Sequence, residues 1–280
     1  MLILERPWTR QPQVAARARS TGIGAGLMYL FSPGCGAVDA ASGLVLTPYG
    51  SVSRDVNRFG YGANVTAANS AYERVANDFA ASEVTIAAWT VVRGTGTDAG
   101  AIAVLSSSGD SGAAPYTAAA LKINTAATGM LLGHSIGGTY AFIFTSGGAS
   151  STDGQKEFLI GRLKSGTQTL QYFINDALFS SASGTVSGAL SYSAGRRIVV
   201  GEDYRLASRN CNRHIYCVAV WGRYLPDSDI QKLVRDPWQL FAPQRIPIPT
   251  AVAAATAPTI TALSARLITA TSAQPRISYS

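Results

Sequence analysis

Thr169-Leu170-Gln171-Tyr172-Phe173-Ile174 is the stretch on which the fold class turns. In an extended chain Leu170, Tyr172 and Ile174 share one face while Thr169 and Gln171 take the other, the alternation of a half-buried strand. Outward from it, short runs rich in β-branched and aromatic residues recur: Leu27 to Phe31, Val84 to Val92, Ala101 to Ser106, Tyr116 to Ile123, Gly129 to His134, Tyr140 to Thr145, Glu157 to Leu163, Arg197 to Gly201 and His214 to Trp221. Gly/Ser/Asn/Asp clusters separate them as turns. One segment, Pro226 to Arg235, reads as a helix, with Pro226 and Asp227 as start signals, an apolar stripe of Ile230, Leu233 and Val234, and Asp236-Pro237 as the stop. Strands in succession with one late helix exclude an alternating βαβ order. They predict an all-β antiparallel sandwich with one short C-terminal helix.

Composition agrees. Of 280 residues 47% are hydrophobic and only 14% charged, against roughly 25% charged in an average chain. The polarity comes from Ser, Thr and 28 Gly, and the apolar share excludes wholesale disorder. No apolar run approaches 18 residues, so no membrane insertion is expected. The net charge of +7 reflects 16 acids as much as 23 bases. Its one local cluster, Arg6, Arg10, Arg17 and Arg19, reads as a solvated arm or a contact with an acidic partner, and no nucleic acid is expected. Cys35, Cys211 and Cys217 form no CxxC pair. Free thiols are expected, a local Cys211–Cys217 bridge being the alternative. The order of the first residues, apolar before basic, is not that of a signal peptide, which places synthesis in a cytoplasm.

Chemistry-bearing motifs are few. Gly133-His134-Ser135-Ile136-Gly137 fits the G-x-S-x-G nucleophile elbow, but that device needs a helix after the serine. Thr139 to Thr145 reads as a strand instead, so the string looks like a hairpin turn, and His214 is the sole histidine downstream to complete a triad. A two-carboxylate glycosidase needs facing acids. Glu202 and Asp203 point to opposite faces and Glu157 lacks an acidic partner two residues away, so no catalytic residue is expected. Asp98, Asp110, Asp203 and Asn210 lie in loops and are the candidates for a rim Ca2+ site. Loop aspartates are more commonly turn formers, and no metal or other cofactor is expected. Twelve Tyr and four Trp supply aromatic surface for a sugar without singling out a binding residue.

Several strings are similar to one family. Arg197-Ile198-Val199-Val200-Gly201, then His214 through Trp221 and Gly222-Arg223-Tyr224-Leu225-Pro226-Asp227-Ser228-Asp229-Ile230, resemble the closing section of concanavalin A-like (laminin G-like) jelly-roll domains. Val84-Thr85-Ile86-Ala87-Ala88-Trp89 resembles an earlier strand of that family. Leu170 to Phe179 resembles its hairpin, with Asp176 in a glycine position. The flanking strings Arg6-Pro7-Trp8-Thr9-Arg10-Gln11-Pro12-Gln13 and Asp236-Pro237-Trp238-Gln239-Leu240-Phe241-Ala242-Pro243 look like segments beside this domain in proteins of tailed bacteriophages and prophages.

The resemblance implies an antiparallel jelly-roll sandwich over residues 25–242. It follows an extended arm, 1–24, and precedes a Pro/Ala-rich linker, 243–258, and a β-like tail, 259–280. It implies a non-enzymatic component of a virion, a fibre, tail or head-decoration protein, made in the host cytoplasm. Such a protein would be lectin-like, capable of binding host-surface glycan, homo-oligomeric, and docked to other virion proteins through residues 1–24 and 243–280. The competing reading is a hydrolase of host-surface glycan or ester using Ser135.

Overall fold

The alternating stretch lies within β12 (Thr167–Ile174), in a computed structural model that describes residues 11–12, 16–57, 59–65, 71–76, 78–93, 100–106, 117–123, 130–136, 139–145, 154–185, 190, 196–201, 211 and 213–242. β12 pairs antiparallel with β11 (Lys156–Lys164) on one side and β13 (Ala177–Gly184) on the other. The hairpin between β12 and β13 turns on Asn175 (φ 48°) and Asp176 (φ 72°). Both are left-handed, as the tight turn matching strand twist requires, and Asn and Asp tolerate that region.

The first sheet runs β13-β12-β11, then β6 (Val84–Val92), β15 (Arg213–Trp221), β4 (Gly60–Asn64) and β3 (Ser53–Asn57). β1 (Leu27–Phe31) pairs with the C-terminal half of β15, beyond the two residues that β4 takes. The second sheet runs β10 (Thr139–Phe144), β9 (Met130–Ile136), β8 (Thr117–Ile123), β7 (Gly100–Ser106), β14 (Arg197–Val200), β5 (Ala71–Val75) and β2 (Thr47–Tyr49). Every pairing is antiparallel, as an all-β sandwich demands.

One core lies between the sheets, where Ile86, Leu159, Leu170 and Val218 of the first meet Ile102, Leu121 and Val200 of the second. A second core covers the first sheet's outer face, where Trp89, Phe158, Phe173 and Trp221 meet Ile230, Leu233 and Val234 of α1 (Asp227–Arg235). Nine consecutive residues of β6 are therefore buried, which is why that strand reads as a continuous apolar run rather than an alternating one. Asp227 and Asp229 in the first turn of α1, and Lys232 and Arg235 in the last, complement the helix dipole. Asp236 ends the helix and accepts from the Trp238 amide, opening a single 3-10 turn, Pro237–Leu240.

Two findings depart from expectation. β2, β3, β4 and β5 come from segments too polar or too short to announce themselves. Residues 16–24, expected in an arm, are bonded into the sandwich instead: Arg19 N donates to Leu240 O, Ala18 N to Ala40 O, and the Trp221 indole to Ile23 O. By internal contacts the chain divides into Met1–Pro243 and Gln244–Ser280. The linker and the tail lie outside the described residues. Trp221 is wholly buried between β15 and the 16–24 strap. Trp221→Ala is expected to cost about 3–5 kcal/mol, read as a lowered midpoint in urea unfolding; a midpoint within 0.2 M of wild type contradicts this packing.

Candidate functional site

Ser135 lies on β9, and Ile136 pairs directly with Thr139 of β10, so the G-x-S-x-G string is a hairpin with no helix behind the serine. His214 stands on β15 of the other sheet, on the outer face beside Tyr216, with Nε2 3.5 Å from Asp55 Oδ2. His214 faces away from the second sheet, which carries β9, and stacked sheets lie about 10 Å apart. The two residues are not brought together. Asp98, Asp110, Asp203 and Asn210 lie outside the described residues. Among those described, no group of three or more His, Cys, Asp or Glu is placed to hold a metal.

The structure instead assembles a buried polar cluster between the sheets. Glu157 is fully buried and accepts from Arg213 (Nε 2.6 Å, Nη2 3.4 Å), from the Tyr172 hydroxyl (2.5 Å) and from Thr90 Oγ1 (3.2 Å). All four sit at one level because Glu157 pairs with Thr90, and Thr90 with Ile215 two residues from Arg213. A buried carboxylate needs such compensation. With four donors Glu157 is saturated, which makes it a structural lock rather than a free acid or base. Burial first, then the Glu157 charge, pushes the Tyr172 phenol well above its usual range.

A second assembly is accessible. On the outer face, between α1 and the β13 edge, Thr169 accepts from Arg162 Nε (2.9 Å) and shares a 3.0 Å bond with the Tyr224 hydroxyl. Arg162 lies 4.7 Å from the Tyr224 ring centroid and is paired with Asp227 at 2.7 Å. Lys164 Nζ also lies 4.7 Å from that centroid, and no carboxylate among the described residues pairs with it. Next along β12, Gln171 carries a buried Oε1 without a donor among the described residues. A half-exposed aromatic, an unpaired cation and hydroxyl and amide groups thus share one face. Sequence reasoning missed it because Lys164 and Tyr224 lie far apart in the chain and meet only through the ladders that link β11, β6 and β15.

All three cysteines are buried and unpaired. Cys211 faces the core between the sheets and Cys217 the outer one, so no local bridge closes. Burial pushes the Cys211 thiol up to about 12, and raises Cys35 and Cys217 for the same reason.

No family model matches the chain, and no curated protein matches it. Solved structures do. Botulinum neurotoxin type C, whose cell entry depends on interaction with two ganglioside molecules, is similar at a TM-score of 0.54 with 12% identity, over 76% of this chain and 51% of that one. Trypanosoma rangeli sialidase, held as a covalent intermediate, is similar at 0.52 with 11% identity, over 75% and 33%. A mutant of it displaying trans-sialidase activity reaches 0.53 at 11%, over 82% and 37%. The chain spans about half of the toxin chain and about a third of the sialidase chains. At these identities the likeness establishes the fold alone, a two-sheet antiparallel β-sandwich. It also corrects the expectation of a non-enzymatic protein, because the same sandwich occurs in chains that are enzymes.

The raised Cys211 and Tyr172 values fix the sign of an alkaline effect. A group whose folded pKa is raised gives stability that is whole below its unfolded pKa and lost as pH rises toward the folded one. For Cys211 the window runs from its ordinary 9.0 to about 12. Urea unfolding at pH 8, 9.5 and 10.5 is therefore expected to show stability falling with pH, and falling less in Cys211→Ala. Equal slopes in the two proteins contradict the assignment.

Proposed function

We propose that the chain is a lectin-like component of a tailed-phage particle and that it binds host-surface saccharide through the outer face formed by Lys164, Thr169, Gln171 and Tyr224. The observation that carries this reading is the chemistry of that face. A sugar presents many hydroxyls and a partly apolar ring, and is held by groups that donate and accept without demanding a counter-charge, with an aromatic edge to cover the ring. Gln171, part-exposed next along the strand from Thr169, adds an amide, a group that both donates to and accepts from hydroxyls. Lys164 offers three donors and has no carboxylate to satisfy. Arg162, whose charge is closed against Asp227, braces Thr169 and Tyr224 within the face.

The virion half of the reading rests on the flanking strings. The second of these is bonded to residues shortly after the first: Ala18 bridges Phe241, and Ala242 N donates to Arg17 O.

Screened on a glycan array, the wild-type protein is expected to retain at least one class of cell-surface saccharide. Lys164→Ala/Gln171→Ala is expected to lose that binding at least tenfold with its thermal midpoint unchanged. A wild-type protein that retains nothing, or a double variant that binds as well, overturns the saccharide reading. Mass spectrometry of purified particles from a lysogen carrying the gene tests the other half: the chain is expected in stoichiometric amount, and its absence overturns the virion assignment.

A further inference from the structure

We propose that the β13 edge pairs with β13 of a second copy of this chain, antiparallel about a two-fold axis at Ala182, so that the first sheets of two copies run on as one. The inference begins with the strands that end the two sheet orders among the described residues, which are not alike. β2 is three residues long and contains Pro48. β3 carries Arg54 and Asp55, and Asp55 engages Asn64 and lies near His214. Shortness, proline and charge are the devices by which natural edges refuse further strands. The other side of the sandwich has none of them: β13 is eight residues and β10 six, and neither contains a charged residue or a proline. There too lie Phe144, Leu178 and Phe179, exposed by 53%, 53% and 44%.

β13 bears one irregularity, a bulge opposite Tyr172 and Phe173 that leaves Phe179 as the extra residue. Its ring is not loose, because it stands edge-on to Tyr172 at 5.6 Å. From Ser180 to Gly184 the register is regular, and Ala182 is the centre of that stretch. Antiparallel pairing about Ala182 sets Ser180 opposite the partner's Gly184, and Ser181 opposite the partner's Ser183. Every residue in this stretch is small and none is charged, so two copies approach without clash or like-charge repulsion. An isologous contact of this kind needs the same strip on both partners, and β13 supplies it from one sequence. Leu178 and Phe179 then flank each end of the paired stretch. The inference goes beyond saccharide binding and does not depend on it.

The register makes the proposal testable with charges. Ser181 and Ser183 are exposed, so lysine fits at both. S181K/S183K sets lysine against lysine twice across the axis. S181K/S183E sets lysine against glutamate twice. By light scattering after size exclusion the full-length wild type is expected at twice its 29.2 kDa. S181K/S183K is expected at the single-chain mass, with a dimer dissociation constant raised at least tenfold, and S181K/S183E is expected to regain the dimer, each with the circular dichroism spectrum of the wild type. A wild type that is monomeric at 100 μM, a lysine pair that stays dimeric, or a Lys/Glu pair no tighter than the Lys/Lys pair each overturns the proposal. So does a dimer insensitive to both variants but dissolved by L263K, because the occupant of the contact is then the C-terminal tail. Loss of saccharide binding leaves these masses unchanged, and the two proposals fail separately.

Discussion

The centre of the first sheet, β6 and β15, is buried on both faces, and the rest of the structure is arranged around that constraint. An antiparallel sheet is free to leave one face in water, but β6 and the C-terminal half of β15 have apolar residues on both sides. The second sheet covers one side. The other needs a separate cover, and α1, the 3-10 turn at Pro237 and the 16–24 strap together form it. This is why the α-helix among the described residues follows immediately after β15: a short connection returns Ile230, Leu233 and Val234 onto the strand just completed. It is also why Trp89 and Trp221, too large for a one-sided sheet surface, are fully buried, each with its indole nitrogen bonded to a carbonyl of the covering layer.

Polar groups within that doubly covered sheet are confined to places where partners reach them. Glu157 sits at the end of an inward row that continues through Leu159 and Leu163, and Arg213 at the head of β15 lies level with it. Removing either would strand the other in a low-dielectric interior. The same logic holds at Asp39. That fully buried carboxylate takes the amides of Leu30 and Ala41 and the Ser42 hydroxyl, and meets Arg74 at 3.0 Å. In that way it ties the loop after β1 to β5 of the opposite sheet.

The fold was legible where hydrophobic patterning dominates. Val84–Val92 and Leu27–Phe31 are apolar enough to be read with their ends in place, and Asp176 at a glycine position announces its turn. Patterning fails for Ser53–Asn57, whose single apolar residue, Val56, faces solvent, and for Ala177–Gly184, whose small polar residues have the composition of a turn. Edge strands are held by one neighbour only and need no apolar face of their own. The site was less legible still. Glu157 looked idle because it has no acidic partner along the strand, yet its neighbours lie across three ladders, and only register brings Thr90, Tyr172 and Arg213 to it. The lone basic residue heading an apolar strand, Arg213, was the available signal. The arm was misplaced because residues 16–24 lack both strand and helix signatures, although they bond to the sandwich through their backbone.

The low charge of the chain acquires a structural meaning from where its acids go. At least eight of the 16 acids lie within 4 Å of a basic group: Asp39, Asp55, Glu73, Asp78, Glu157, Asp176, Asp227 and Asp229. Several of these contacts fasten one element to another rather than decorate a surface. What remains for the outer face of β12 and the edge of β13 is hydroxyl, amide and small apolar chemistry. Such a surface is weakly hydrated compared with an ionic one, loses little when water leaves, and presents few fixed charges to repel a copy of itself. A scarcity of acids, used first to close the interior, thus leaves neutral strips at the surface, and neutral strips are the ones that a saccharide or a second sheet can cover at the least desolvation cost.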